Sequence, residues 1–513
     1  MRLAELLRGL PDIDPRHAGG AEILGLTDDS RKVRPGFVFV AVRGLAVDGH
    51  AYLEDAARSG AAALVGEIPD PGLTAPYFRV LDSRLALARL AAAWHAFPAR
   101  RLVMIGVTGT EGKTTTATLI RAILRRAGHP TGLISTVHAV VADQVRDTGL
   151  HVTTPDAADL QGLLADMLRA GETHAVVEAT SHGLAQHRLA ACDFDVGVVT
   201  HIEREHLDFH GTLESYREAK GKLFRYLSEG APKTFAPRRT AILNRDDSSF
   251  EFLEPITAVR IVSYGQSSSA DVRLSEVNTS LDGASMRLTG KAYAIPVRTR
   301  LIGLHNARNC AAAFAAAVEA LGVPPETAAA GIAGVESIPG RMEVIDVGQP
   351  FGAVVDFAHS PNAVRRALEV GRQLTRGRLI AVFGAVALRD RENRRLMAEA
   401  GAELADRIVF TADDPRTESL AEILRVMAEA ASSRGGIEGE AFWRVPDRAT
   451  ALRFAVELAR PGDLVMALGK GHEQSMAIGE YEYPWDDRTA LRAALAESLG
   501  VPGPAMPFLP DDV

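Results

Sequence analysis

Between Gly25 and Gly66 short apolar runs alternate with turn residues: GLTDDSRKVRPGFVFVAVRG, the helix-like HAYLEDAARSG and the strand-like AALVG. Apolar runs bounded by Gly, Pro, Asp and Ser predict strands, and helical spacing predicts the helix between them. A small α/β domain is therefore expected to about Arg100. Beyond it VMIGVTG predicts a buried strand that enters a glycine turn and the helix TTTATLIRAILRRAG, and HAVVEAT and DVGVVTH predict further strands with helices between them. Such alternation requires crossover connections and hence a mainly parallel sheet. From Thr257 to Leu304 the segments RIVSYG, VRLSEV, SMRLTG and YAIPVRTRLIG predict an antiparallel appendage, followed by an Ala-rich helix from Asn306 to Leu321. After Pro339 the strands AVVDFA, LIAVFG, RIVFT and DLVMALG alternate with helical stretches such as RENRRLMAEAGAELA, which predicts a Rossmann-like, doubly wound domain. The expected fold is α/β in three domains, 1–100, 101–338 and 339–513.

A chain of 513 residues is too long for one compact core, which agrees with that division. The net charge of −8 offers no basic excess for nucleic acid or an anionic membrane, and neither is expected as a partner. The longest apolar stretches, such as Cys310 to Val318, fall short of the ~20 residues that cross a bilayer, and charges at the start of the chain interrupt the apolar run of a signal peptide. A cytoplasmic monomer is expected. Two cysteines, Cys192 and Cys310, cannot build a disulfide framework, and both lie in apolar settings. Only seven of the 57 basic residues are lysine: Lys32, Lys113, Lys220, Lys222, Lys233, Lys291 and Lys470. Where the chain so strongly prefers Arg, a retained ammonium marks a place that a planar guanidinium cannot fill.

Lys113 stands in the strongest local motif, GVTGTEGKTTT at 106–116, a strand followed by a glycine loop and a helix. Backbone N–H groups of such a loop and the positive helix end cradle phosphate oxygens, the Lys neutralises them, and a Thr hydroxyl can bind Mg²⁺. The common P-loop spelling has a glycine where Val107 stands, so this loop is a variant. Gly109, Thr110, Glu111, Gly112, Lys113, Thr114 and Thr115 are the nucleotide-binding candidates, with ATP and Mg²⁺ as cofactors.

GTEGKTTT resembles the GTNGKTT loop of the Mur ligases, ATP-dependent ligases that build the peptidoglycan precursor peptide. DDSRKVRPGFVFVAVRG, TTP at 153–155, EATSHGLAQHR at 178–188, EHLDFHGTLESYREAKGKLF at 205–224, HNARN at 305–309, GRMEV at 340–344, DFAHSPNA at 356–363, DDPR at 413–416 and GKGHE at 469–473 resemble the same family in its chain order. Within it, these blocks are most similar to the enzymes that add the third residue, to UDP-N-acetylmuramoyl-L-Ala-D-Glu. The resemblance implies a UDP-sugar-binding first domain, an ATP-binding central domain and an amino-acid-binding last domain. It implies Thr114, Glu178, His206 and a carbamylated Lys220 as metal ligands, the last three acting with Lys113 in catalysis. It places Ser30, Thr153, Thr154, Thr180, Gln186 and Arg188 on the UDP-sugar dipeptide, and Asn306, Arg341, Asp356 and His359 on the nucleotide, in two halves that close during turnover. Arg394, Asp413, Asp414, Pro415, Arg416, Gly469 and Glu473 then line the amino-acid pocket. No general base is identifiable.

By residue type alone, His206 and Lys220 are ordinary polar positions, and Ser30 and Thr153 are equally helix caps. Amide formation from a carboxylate does need activation, and an acyl phosphate made from ATP supplies it. Arg416 suits a distal carboxylate and so meso-diaminopimelate. The diaminopimelate pattern is DNPR, however, and the negative Asp414 points towards a diamine, lysine or ornithine. Glu111 replaces the loop Asn, Glu205 an Asp, His201 an Asn, and GAVALRD at 384–390 replaces GCGGDRD; these departures leave a non-catalytic nucleotide-binding relative as a further alternative. A folylpolyglutamate-type ligase would have no use for the DSR segment.

Overall fold

The computed structural model describes residues 1–14, 16, 20–44, 47–146, 154–389 and 391–510. Two compact units emerge: 1–275 with 287–297 and 308–332, and 276–286 with 298–307 and 333–513.

The first unit opens with a four-stranded, all-parallel sheet of Gly25–Thr27, Phe37–Val40, Ala63–Gly66 and Tyr77–Arg79. Its core is Leu- and Ala-rich, from Leu3, Leu6 and Leu7 to Leu87 and Leu90 on the helix Ser83–Trp94. Asp82 caps that helix by accepting the Leu85 N–H at 2.9 Å.

A second sheet has eleven strands in the order Ala294–Thr299, Gly283–Thr289, Val272–Ser280, Arg260–Gly265, Thr240–Asn244, Val196–Val199, Val103–Thr108, His174–Glu178, Thr131–Ile134, Ala139–Val141 and Gln144–Arg146. Its centre is parallel, and strands such as Val103–Thr108 are buried along their whole length, as expected where helices cover both faces. Arg260–Gly265 departs from expectation: it pairs in parallel with Thr240–Asn244 and extends the parallel sheet. The short-segment texture that predicts an appendage does not distinguish a strand reached by a crossover from one reached by a hairpin. The Ala-rich helix begins at Leu304, and its last turn, Ala316–Ala320, widens into a π turn.

In the second unit a six-stranded sheet runs Glu343–Val344, Gly352–Asp356, Leu464–Leu468, Leu379–Phe383, Arg407–Phe410, Phe442–Arg444, parallel except at its first pair. Alternate residues of one strand serve two cores: Leu379, Ala381 and Phe383 face one, Ile380 and Val382 the other. That is the doubly wound arrangement expected. The carboxyl ends of these strands carry Asp356 and the loops that begin at Gly384, Thr411 and Gly469, and ligands of open parallel sheets bind along such an edge. Residues 501–510 form no helix or strand, and no helix among the described residues is long and apolar enough to cross a membrane.

Candidate functional site

Parallel register brings the loop after Val103–Thr108 between two neighbours. Val107 lies opposite Glu178, and Thr108 opposite Val199. Gly109 and Gly112 take φ of +147° and +78°, and a Cβ would drive Gly109 into Thr200 Oγ1 and Gly112 into the Asn309 side chain. Gly112 caps the 14-residue helix Lys113–Arg126. The Lys113 ammonium folds over the loop, donating to Gly109 O at 3.1 Å and Thr110 O at 2.8 Å. Thr114 and Thr115 are buried in the first turn. Glycine turn, helix start and a lysine held over the loop form an arrangement that fits polyphosphate.

Lys220 reaches the same carbonyl from the helix Leu213–Glu229, donating to Gly109 O at 2.7 Å from a side chain sealed from solvent. Burial, then the nearby charge of Lys113, hold its amine well below the usual lysine range, against a weaker pull from Glu205. Its Nζ stands 4.5 Å from the centre of the Tyr216 ring, one helical turn earlier. Lys222 instead donates to Ala185 O at 3.3 Å, beside His187. His206 has a left-handed backbone at φ +53° and lies 3.6 Å from Glu205 Oε2, its ring among those of His182 and Tyr216. Burial depresses its imidazole and, more strongly, that of His182, to about 4.

Glu178 is fully buried at the end of its strand, accepting from Thr136 N at 3.1 Å and Thr136 Oγ1 at 3.0 Å. Its backbone carbonyl accepts the Thr154 hydroxyl at 3.0 Å, and Thr154 lies 2.8 Å from the Thr180 hydroxyl, which caps Ser181–Ala185. Arg188 donates to Thr154 O at 2.8 Å and Gln186 Oε1 at 2.9 Å, and pairs with Asp156 at 3.3 Å. Arg84 reaches Gln186 at 3.4 Å from the first domain. Thr154, Thr180, Gln186 and Arg188 are thus one cluster, while Thr153 lies outside the described residues. Ser30 opens a single 3-10 turn capped by Asp29, and the adjoining Asp28, raised by burial, is raised further by Asp156.

In the second unit Arg341, Asp356 and His359 surround Phe357. The Arg341 guanidinium lies 4.5 Å from the Phe357 ring centre, Asp356 accepts from Met342 N at 2.7 Å and Ala358 N at 2.9 Å, and His359 Nδ1 is 2.9 Å from Phe357 O. Asn306 donates to Ile302 O at 2.9 Å. Along the carboxyl edge of the sheet Asp413, Asp414, Arg416, Gly469 and Glu473 come together. Asp414 and Arg416 both have left-handed backbones, and Pro415 between them is buried. Arg416 N donates to Ala477 O at 3.0 Å, and its Nε is buried without a hydrogen-bond partner. Arg394 pairs with Glu418 at 2.8 Å. Of the unusual 384–390 segment, whose last residue lies outside the described residues, Ala387 N donates to Asp414 O at 3.0 Å.

Several residues escape sequence reasoning. Thr200 Oγ1 ties down the phosphate loop at Glu111 O, 2.5 Å away, and the Tyr216 hydroxyl meets Thr110 Oγ1 at 3.1 Å. The four-residue step from Tyr216 to Lys220 is the signal that would have found Tyr216. Arg448, fully buried with Asp487 at 2.6 Å, also donates to Ala412 O and Leu468 O, both at 2.8 Å, and so ties together the strand ends bearing Asp413 and Gly469. Nothing in the spacing announces it.

Among the described residues no group of three or more His, Cys, Asp or Glu is arranged to hold a metal. Glu178, the Thr hydroxyls and a carbamate at Lys220 would instead supply hard oxygen donors with His206 beside them, a set that suits Mg²⁺ once phosphate oxygens complete it.

Three family models match the chain: a Mur ligase family catalytic domain at 22–95, a Mur ligase middle domain at 107–317 and a Mur ligase glutamate ligase domain at 340–471. The chain is 43% identical to a UDP-N-acetylmuramyl-tripeptide synthetase of Roseiflexus sp. (strain RS-1), over 98% of this chain and all of the relative. It is 41% identical to a UDP-N-acetylmuramoyl-L-alanyl-D-glutamate--2,6-diaminopimelate ligase of Geobacillus kaustophilus (strain HTA426), over 97% of this chain and all of that one. A solved structure of a ligase with the latter name superposes with a TM-score of 0.70 at 30% identity, covering 97% of this chain and 99% of the other.

Proposed function

The chain belongs to the Mur ligase family, and from that premise we propose that it is the ATP-dependent ligase that joins meso-diaminopimelate to the D-glutamate of UDP-N-acetylmuramoyl-L-Ala-D-Glu. The observation that carries this reading is the convergence of Lys113 and Lys220 on Gly109 O, in a glycine turn that leads into a helix N-terminus. Lys113 moves from the loop carbonyls onto the phosphates of ATP, and the N–H groups of 109–115 hold their oxygens. A substrate carboxylate oxygen attacks the γ-phosphorus and ADP departs; the amine of the third residue then attacks the acyl carbon, phosphate leaves, and the amine loses a proton. Negative charge gathers on the transferring group, where oriented N–H groups and ammonium stabilise it. Mg²⁺, bound through Thr114, Glu178, His206 and the Lys220 carbamate, would neutralise charge on nucleotide and acyl phosphate together.

Lys220 is suited to carry that carbamate. A neutral amine is the form that bonds to CO₂, releasing a proton and leaving an anionic oxygen pair, and burial beside Lys113 favours the neutral amine. Thr154, Thr180, Gln186 and Arg188, with Ser30 and Thr153, receive the UDP-sugar dipeptide, and Arg188 has the donor fork for its carboxylate or phosphate. Asn306, Arg341, Asp356 and His359 are assigned to contacts with the nucleotide, and Arg394, Asp413 to Arg416, Gly469 and Glu473 to the amino acid. The domain limits of 1–100, 101–338 and 339–513, a monomeric state, cytoplasmic location and independence of nucleic acid and membrane belong to the same reading.

Phosphate release from ATP and Mg²⁺ with UDP-N-acetylmuramoyl-L-Ala-D-Glu, in parallel with meso-diaminopimelate, L-lysine, L-ornithine or no amino acid, tests it. Release only with diaminopimelate is expected. Dependence on lysine or ornithine would move the acceptor assignment, and silence with intact ATP binding would support the non-catalytic reading that Glu111 raises. An Arg416→Ala variant should lower kcat/KM for diaminopimelate by roughly 100-fold while lysine loses far less, since a buried site built for a polar group discriminates strongly.

A further inference from the structure

Asp414, the residue that sets DDPR apart from DNPR, does not present an open charge. Its Oδ1 lies 2.8 Å from the ammonium of Lys470 and accepts the Ala477 N–H at 2.9 Å. Its side chain is 6% exposed, and Lys470 is completely buried. Lys470 also holds Glu473 Oε2 at 2.6 Å. Burial opposes its charge, yet Asp413, Asp414 and Glu473 together outweigh that, and the ammonium is held above its ordinary range. The neighbouring cation, Arg448, is committed to Asp487. Asp413 keeps one buried oxygen without a partner, and burial pushes its carboxyl up to about 7, towards the uncharged form.

The charges can then be counted. Of the two carboxylates that bond Lys470 directly, Asp414 and Glu473, the ammonium offsets one, and Arg416 supplies one positive charge two residues from Asp414. One cation and one net anion complement the zwitterionic end of a diamino diacid. An uncompensated Asp414 would make the pocket doubly negative and suit a bare ammonium.

We propose that Lys470 is a positioning residue that takes up the charge of Asp414 and orients Glu473, so that DDPR in this chain selects an acceptor with a distal carboxylate through Arg416. The assignment rests on the ligase reading above. It also gives a role to the one lysine that follows Pro339.

The test is the ratio of kcat/KM for meso-diaminopimelate to that for L-lysine in the full chain and in Asp414→Asn, Lys470→Gln and the double variant. Asp414→Asn should lower both constants together, by about threefold, and leave their ratio within about threefold, because the group it removes is already neutralised. Lys470→Gln leaves the buried Asp414 and the half-buried Glu473 without their cation; KM for diaminopimelate should rise at least ~10-fold with kcat changed less, and the double variant should recover about fivefold of that loss because an amide needs no cation. A ratio that swings ~10-fold or more towards diaminopimelate in Asp414→Asn would show that Asp414 itself reads the acceptor, and equal losses in Lys470→Gln and the double variant would show no coupling; either overturns the proposal. Should the unaltered chain release phosphate with no acceptor, the ligase reading fails, and calorimetric titration of diaminopimelate and lysine into the same four proteins decides the pair by the same coupling.

Discussion

Lys220 and Lys470 are both sealed from solvent, one beneath the glycine loop at 109–112 and the other at the carboxyl edge of the six-stranded sheet, yet their neighbours push them in opposite directions. Around Lys220 the second influence after burial is another cation, Lys113, and a carbonyl, an aromatic face and the pull of Glu205 do not hold the proton on. Around Lys470 stand three carboxylates, of which Asp414 and Glu473 bond it directly. Desolvation sets the cost of a charge, and the neighbours decide whether it is met. One site therefore stores a reactive amine and the other a fixed cation.

The largest expected effect tests the first half of that contrast. Lys220→Met should abolish turnover, by at least ~1000-fold, because the carbamate oxygens disappear from the charge-stabilising set. Its thermal unfolding temperature should nevertheless equal or exceed that of the unaltered chain, since an apolar side chain replaces an amine whose charge is penalised by burial. Short carboxylates added to Lys220→Ala should restore part of the activity. Full activity in either variant would end the carbamate assignment.

Lys470→Met should do the reverse to stability. Removing the cation strands Asp414 and Glu473, a change that costs about 3–5 kcal/mol when a buried pair is broken from one side. Denaturant unfolding monitored in the second unit measures it. Were both lysine-to-methionine variants to melt alike, the two settings would be electrostatically equivalent and the contrast would fall.

Acid–base linkage sharpens the comparison at smaller amplitude. Lys220 is depressed in the fold, so below the ordinary lysine range the unfolded chain binds the extra proton and stability rises with pH towards that range. Lys470 is raised, so its contribution is complete at neutral pH and is lost only above that range. Just below the ordinary lysine range the unaltered chain should therefore gain up to ~1.4 kcal/mol per pH unit relative to Lys220→Met. Urea titrations at three pH values suffice, and identical slopes would contradict a depressed Lys220.

Much of this was legible in the chain. The scarcity of lysine marks seven positions, Lys113, Lys220 and Lys470 among them, and the strand, glycine turn and helix around Lys113 stand where periodicity puts them. Arg260–Gly265 was misplaced because a strand's partners are set by the crossover before it, which leaves no local mark. The pairing of Asp414 with Lys470, 56 residues apart, was invisible for a similar reason. A parallel sheet joins distant strand ends, and only the register of Leu464–Leu468, Leu379–Phe383 and Arg407–Phe410 puts DDPR and GKGHE on one edge. The sign attached to Asp414 from sequence, a charge aimed at the acceptor, depended on the one fact that the sequence withholds, the identity of its neighbour.

The smallest expected effect concerns Tyr216, whose ring faces the Lys220 amine and whose hydroxyl meets Thr110 Oγ1 at 3.1 Å and Glu205 Oε2 at 3.3 Å. Tyr216→Phe keeps the ring and deletes those bonds. Thr110 Oγ1 retains Glu203 N and Glu203 O, at 2.9 and 3.2 Å, so the loop keeps most of its restraint and stability should fall by only ~1 kcal/mol, the worth of one buried hydrogen bond. Tyr216→Leu removes the aromatic face as well, and its turnover should fall further than that of the Phe variant if the ring helps to wall the Lys220 amine from water. Equal turnover in the two variants, at equal stability, would assign the site beneath the phosphate loop to burial alone and make its contrast with the carboxylate-lined Lys470 a matter of neighbouring charge only.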